Sequence, residues 1–331
     1  MNYPLMYVNG GGLVRFYGGK LIFTGEKHKS GIICTSGEMR MFAGYINGGK
    51  STTSGASICV YDSGKLMLWG GHIEGGEAAS SGGNIYANKN GSISIYDAIV
   101  SGGKANKGGN IYMGRGTLTM NGGQVIDGYA TTSAGNIYIA SGSVTVNGTS
   151  SVADGTAPNG GNIAMAGGTL NLNDNATVSG GQASTKGGNI YATAATVNMN
   201  DNAVVENGQV INTGNVLTYG GNICVAVNNA NKNNPVGTVT ITGGTLENGL
   251  ANGGMGGNLY AYTGVTVTMT GGELKDGVSS VSPNGGYGGN LYNNGATITI
   301  SGGILRDGQS GLLAEDGQSL VFGNNDSTKK G

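Results

Sequence analysis

Charge is scarce in this sequence. Asp, Glu, Lys and Arg together make up 11% of its 331 residues, against about 25% in ordinary soluble domains. The net charge is −1, which leaves no basic footprint for nucleic acid or an anionic membrane surface. Cysteine is confined to Cys34, Cys59 and Cys224. They are too few for a disulfide framework, their spacing fits no zinc pattern, and free thiols are expected. Histidine occurs only as His28 and His72. No apolar run approaches the length of a membrane-spanning helix. No helical periodicity appears anywhere, which excludes an all-α or α/β fold. The segment 1–12 carries neither a basic nor an apolar signal region. A segment of a longer secreted protein is therefore expected, or a chain released by another route such as phage lysis.

Glycine is abundant instead, with 69 residues against 4 prolines. Such a bias often means disorder, but here the glycines are periodic and separate short apolar alternations. The motif Gly-Asn-Ile/Leu recurs at Asn84, Asn110, Asn136, Asn162, Asn189, Asn222, Asn258 and Asn290. The steps are 26, 26, 26, 27, 33, 36 and 32 residues. A period in this range signals stacked structural repeats.

One repeat, residues 187–210, reads as short strands at Asn189-Ile190-Tyr191, Thr196 to Asn200 and Ala203 to Glu206, with Gly, Asn and Asp turns between. The expectation is an all-β, right-handed parallel β-helix of about eleven coils, each of roughly 26 residues and three short strands. The second strand supplies inward apolar pairs, from Leu21/Phe23 and Met39/Met41 through Val144/Val146 to Ile298/Ile300. The first strand supplies another inward column, from Ile33 to Leu291. Residues 1–12 are assigned to an N-terminal cap, 13–323 to the solenoid and 324–331 to a tail. Residues 318–322 read as one more strand closing the core. The later repeats are longer, with extensions at 211–217, 229–236 and 279–287, where loops leave the solenoid at turns.

Chemistry in such a fold is sought down columns. Asp127, Asp154, Asp276 and Asp307 share a column with Gly48, Gly75, Gly102, Gly180, Asn207 and Asn248, each preceding a Gly. These are the residues that tolerate a left-handed backbone, so the column is selected for φ rather than for charge. Asp174 and Asp201 sit in adjacent coils and are the nearest approach to a carboxylate pair. No metal site and no cofactor are expected. A Thr-rich outward face runs from Thr117/Thr119 to Thr297/Thr299, which leaves ice binding as one alternative. Tyr86, Tyr112, Tyr138, Tyr191, Tyr260 and Tyr292 form an outward aromatic ladder expected to stack on itself. Near the N-terminal end Phe42, Trp69 and Tyr96 share a second outward column, with Ile22, Arg40 and Met67 beside it. This apolar patch is the candidate binding surface for a glycan or partner, unless residues 3–7 fold over it as a cap.

The Gly-Gly-Asn-Ile-Tyr motif followed by Thr-Leu-Thr-Met-Asn-Gly-Gly resembles the Gly-Gly-x-Ile repeats of bacterial surface proteins. These include the polymorphic outer-membrane proteins and the large β-helical adhesin-like proteins of gut bacteria. The resemblance covers roughly Gly31 to Gly308 and implies a pectin-lyase-like β-helix. It implies little about activity, because such folds serve lyases, hydrolases, phage tailspikes and adhesins alike. Arg15, Arg40, Arg115 and Arg306 fall in no column with paired carboxylates, and polar pairs such as Glu38/Arg40 or Glu74/Glu77 read as solvated surface. A non-enzymatic extracellular stalk, fibre or adhesin segment is expected, meeting glycans, cell-surface components or neighbouring copies through its coil ends. A phage tail fibre and a polysaccharide lyase or glycosidase are the alternatives.

Overall fold

The computed structural model describes residues 4–23, 29, 31–211, 216–227, 237–280, 286–311 and 320–323. Among them there is no helix. Parallel strands wind into a β-solenoid of about ten turns, roughly 27 residues apart. Each turn carries four strands rather than the three expected, and these stack into four sheets of 12, 11, 10 and 11 strands.

One turn shows why. Ile137–Ile139 lies in the first sheet, Ser143–Val146 in the second, Ser151–Ala153 in the third and Thr156–Asn159 in the fourth, before Ile163 restarts the first. In the first three strands Ile137, Ile139, Val144, Val146 and Val152 are all 0% exposed. Their equivalents in neighbouring turns make one continuous apolar core. Each such side chain contributes about 1.5–3 kcal/mol when fully buried. The fourth strand turns inward only small residues: Ala78, Ala105, Ala130, Ala157, Ala183, Val210 and Ala251 in successive turns. It does not face that core. It runs against the glycine backbone of the Gly-Gly-Asn turn, and a Cβ on Gly135 would lie 2.2 Å from the Thr156 nitrogen. A strand with no large apolar column reads as loop, which is why it escaped the periodicity.

The column of Asp, Asn and Gly is left-handed as expected. Asp127, Asp154, Asn207, Asn248, Asp276 and Asp307 all have φ between 52 and 56°. This residue swings the chain from the third sheet into the fourth, and the Gly after it gives way to the buried Asn of the next motif. A Cβ on Gly155 would sit 2.8 Å from the Asn162 side chain.

Two details of the first turn differ from expectation. Its inward pair in the second sheet is Val14/Phe16, which pairs with Met39/Met41, whereas Leu21 belongs to the third sheet opposite Ile46. Phe23 follows that strand. The two pairs share the same spacing of apolar residues, so only the pairing register separates them. Met6–Val8 forms a strand of the first sheet in register with Ile33–Thr35, and so it does not lie over the Phe42 column. At the other end Leu320–Gly323 pairs with Leu291–Asn294 as one more strand of the first sheet. Residues 3, 318–319 and 324–331 lie outside the described residues, as do 212–215, 228–236 and 281–285 of the extensions.

Candidate functional site

The recurrent asparagine is a buried structural ladder. Asn84, Asn110, Asn136, Asn162, Asn189, Asn222, Asn258 and Asn290 are each 0% exposed. Every amide nitrogen from Asn84 to Asn258 donates to the carbonyl oxygen of the next asparagine, at 2.7–2.8 Å. It also donates to a backbone carbonyl at the end of the third-sheet strand; for Asn162 this is the Ser179 oxygen at 2.7 Å. The asparagine oxygen accepts in turn from the glycine N–H that opens the fourth strand, Gly155 in the case of Asn162. Each side chain thereby bridges three strands and the next turn. The sequence showed that the residue recurs, but not that its amide faces inward. Ser57 takes the place in the preceding turn, donating to the Gly48 oxygen at 2.7 Å.

The acidic residues are occupied as turn formers. An Asp174 oxygen accepts from the Gly148 N–H at 2.9 Å, and an Asp201 oxygen from the Asp174 N–H at 3.0 Å. Each carboxylate thus closes the turn of the coil before it. Both residues hold a left-handed backbone. Asp154 is pushed up from the ordinary carboxyl value by burial and then by the neighbouring Asp127. Among the described residues no cluster of His, Cys, Asp and Glu has a metal-binding arrangement. Glu38 pairs with Arg40, Glu77 with Lys50 at 3.5 Å, and Glu74 accepts from Asn47.

The N-terminal aromatic column is longer than expected. Tyr17 stacks on Phe42 at 4.9 Å, Phe42 lies parallel to Trp69 at 6.5 Å, and Trp69 stacks on Tyr96 at 3.9 Å. Tyr17 joins the column because Val14/Phe16, not Leu21/Phe23, is the inward pair of the second sheet in the first turn. Arg40 and Met67 are indeed neighbours, facing each other across the second sheet. Ile22 is not beside them: it lies in the third sheet opposite Asn47. The third sheet offers its own pair, Tyr45 stacked on His72 at 4.8 Å. Beyond Tyr96 the same column continues as hydrogen-bonded amides, Asn147 donating to Asn121, Asn173 to Asn147 and Asn200 to Asn173. Rings held face to face have spent those faces on one another. The 3.9 Å stack closes the face that Trp69 turns to Tyr96, and Trp69 as a whole is 44% exposed.

The tyrosine ladder of the first sheet behaves likewise. Tyr86, Tyr112 and Tyr138 stack at 5.2 and 5.3 Å, and Tyr260 on Tyr292 at 5.3 Å. Ala164 and Cys224 interrupt it, on either side of Tyr191. Around Cys224 the break is packed by Tyr219 and Tyr262 edge-on to Tyr260, with the Lys186 ammonium over Tyr191, Tyr219 and Tyr262. Cys34, Cys59 and Cys224 lie in this column as buried thiols. Cys59 is pulled down to about 7 by its hydrogen bond with Cys34 and then by Tyr61, whereas burial pushes Cys224 up to about 12. The Thr-rich face of the second sheet is in register, from Thr117/Thr119 through Thr196/Asn198 to Thr297/Thr299.

Burial also raises the phenols, pushing Tyr191 up to about 12, with Tyr260 and Tyr262 displaced the same way. The unfolded chain releases these protons near pH 10, before the folded one does. The stability they contribute is complete below pH 10 and is lost as pH rises toward about 12. In an ultraviolet titration at pH 10–11 Tyr191, Tyr260 and Tyr262 are expected to stay protonated. Ionisation of these three near pH 10, with the circular dichroism intact, would contradict this burial.

Comparison with family models, curated proteins and solved structures finds no match for this chain. The fold defines the class: a parallel β-solenoid built of four-strand turns.

Proposed function

We propose that this chain is a non-enzymatic structural and adhesive β-solenoid, a stiff segment of a bacterial surface stalk, fibre or adhesin. The observation that carries the reading is the buried asparagine ladder, which ties each turn from Asn84 to Asn290 to the next through uncharged hydrogen bonds. Such a repeat gives stiffness and reach, and stacked turns make stability a sum of neighbour contacts. Further support comes from the acidic residues. Acid–base work on a glycan needs two carboxyl groups free to exchange protons across a bond. Asp174 and Asp201 instead hold backbone N–H groups. The outer surface is neutral, polar and repetitive, which suits a display surface rather than a single reaction centre.

Light scattering with negative-stain imaging tests the reading. The expected particle is a monomeric rod about 50 Å long, from ten turns at the strand spacing. Trimers would move the reading to a phage fibre. Turnover of a polysaccharide that Asp174→Asn or Asp201→Asn abolishes would end the non-enzymatic part of it.

A further inference from the structure

We propose that the furrow on the outer face of the fourth sheet binds a neutral oligosaccharide, with one sugar ring packed against Tyr129. The inference deepens the adhesive reading above and rests on it. Three observations lead there, and none depends on the stacked aromatic ladders.

Tyr129 is unlike the tyrosines of those ladders. It is 48% exposed, and among the described residues no ring stacks on it and no cation sits over it. Its partner in the next strand is Thr156 and in the previous one Lys104. A ring with an unstacked face offers the C–H face of a pyranose an apolar, electron-rich surface, which self-stacked rings do not.

The second observation is shape. Two adjoining depressions, about 410 and 370 Å³, share Tyr129 and Thr131 and follow the fourth sheet from Ser51 to Ile211. Across the strands involved this is a track about 30 Å long, parallel to the solenoid axis. It exists because the inward residues beneath it are alanines, which hold the fourth strand close to the glycine turns, while alternate positions rise outward as walls.

The third is chemistry. From Tyr129 to Ile211 no charged side chain lines the depression. The Gln182 amide and the Thr156 hydroxyl are exposed and make no hydrogen bond to another described residue. Thr131 donates to the Asn106 oxygen at 3.0 Å, and the Asn106 NH2 has no acceptor among the described residues. An apolar platform flanked by uncommitted amides and hydroxyls matches a neutral sugar, whose hydroxyls donate and accept in equal measure. An acidic sugar would find no counter-charge in the depression from Tyr129 to Ile211, because Lys104, the cross-strand neighbour of Tyr129, lines the adjoining depression together with Glu77.

The test is retention on an array of neutral and uronic-acid oligosaccharides, followed by titration of the best neutral binder. Tyr129→Ala is expected to weaken that binding at least tenfold and Gln182→Ala several-fold. Tyr129→Phe, which keeps the ring, and Trp69→Ala, in the stacked ladder, are expected to bind as the parent does. All four are surface changes, and thermal unfolding checks that each variant folds. Binding unaffected by Tyr129→Ala, retention of acidic sugars alone, or no retention of any oligosaccharide overturns the furrow. Adhesion of the rod to cells separates the two readings. Adhesion that survives Tyr129→Ala removes the furrow and keeps the adhesive role, whereas a rod that adheres to nothing removes the role itself.

Discussion

Replacing Asn162 with Ala is expected to destabilise the solenoid by about 4 kcal/mol or more, in the range reserved for severe core lesions. The side chain donates to the Ser179 oxygen and to Asn189, both at 2.7 Å, and accepts from Gly155 and Asn136, both at 2.8 Å. Removing it leaves two buried donors, the Gly155 N–H and one N–H of the Asn136 amide, without an acceptor, at about 1–3 kcal/mol each, and takes one of two donors from the Ser179 and Asn189 oxygens, which keep the N–H groups of Asp154 and Gly181. The cavity left behind is polar and enclosed, and so little relaxation is available. Asn171→Ala is the control, since that amide belongs to a half-buried outer ladder, where Asn198 donates to its oxygen. It is expected to lose under about 1 kcal/mol. A second consequence follows from the stacked architecture, in which each turn contacts only its neighbours. Asn162 lies mid-stack, and the lesion is expected to let the two halves unfold separately. Trp69, the only tryptophan, reports on the N-terminal half by fluorescence, while circular dichroism reports on the whole. Urea midpoints for Asn162→Ala equal to those for Asn171→Ala would sink the ladder as the main inter-turn tie.

Gly161→Ala is expected to be as damaging, through sterics alone. A Cβ there would lie 2.2 Å from the Gly188 oxygen and 2.3 Å from the Gln182 nitrogen, both backbone atoms. Neither yields unless the turn separates from the fourth strand, so the loss expected is roughly 3 kcal/mol or more. Gly161 has no positive φ, and conformational freedom is therefore not the reason for its glycine. Asp154→Gly makes the opposite comparison. Asp154 holds φ at 56°, where glycine is at home, and its replacement is expected to change stability by less than about 1 kcal/mol. Thermal melts of the two variants decide the matter. If Gly161→Ala melts with the parent, the close approach of turn and fourth strand is not a constraint.

Much of this molecule was legible before folding, because a solenoid writes its geometry along the chain. Val144 and Val146 sit at the same offset in their turn as Leu118 and Met120 in the one before, and both pairs are buried in register. The left-handed corner was legible too, since only residues that tolerate positive φ occupy it. The first turn is not legible in the same way, because Val14/Phe16 and Leu21/Phe23 share one spacing, and spacing alone does not choose between registers.

The candidate site was less legible. Phe42, Trp69 and Tyr96 were visible as a column, but whether their faces are open depends on ring orientation, and a 3.9 Å stack closes the face between Trp69 and Tyr96. Tyr129 gave no signal at all, since the strand carrying it was not recognised.

The sequence by itself determined the period, the inward apolar columns and the corner where the chain must turn left-handed. These are local demands on spacing, side-chain volume and φ, repeated often enough to be read without a fold. Only the tertiary structure decided where each amide and ring finds its partner. The Asn162 amide meets residues 26 and 27 positions away, and the fourth strand owes its place to glycine backbone it touches across the turn. Such contacts exist only once the coil has closed, and they settle which polar and aromatic groups are used up within the wall and which remain for a ligand.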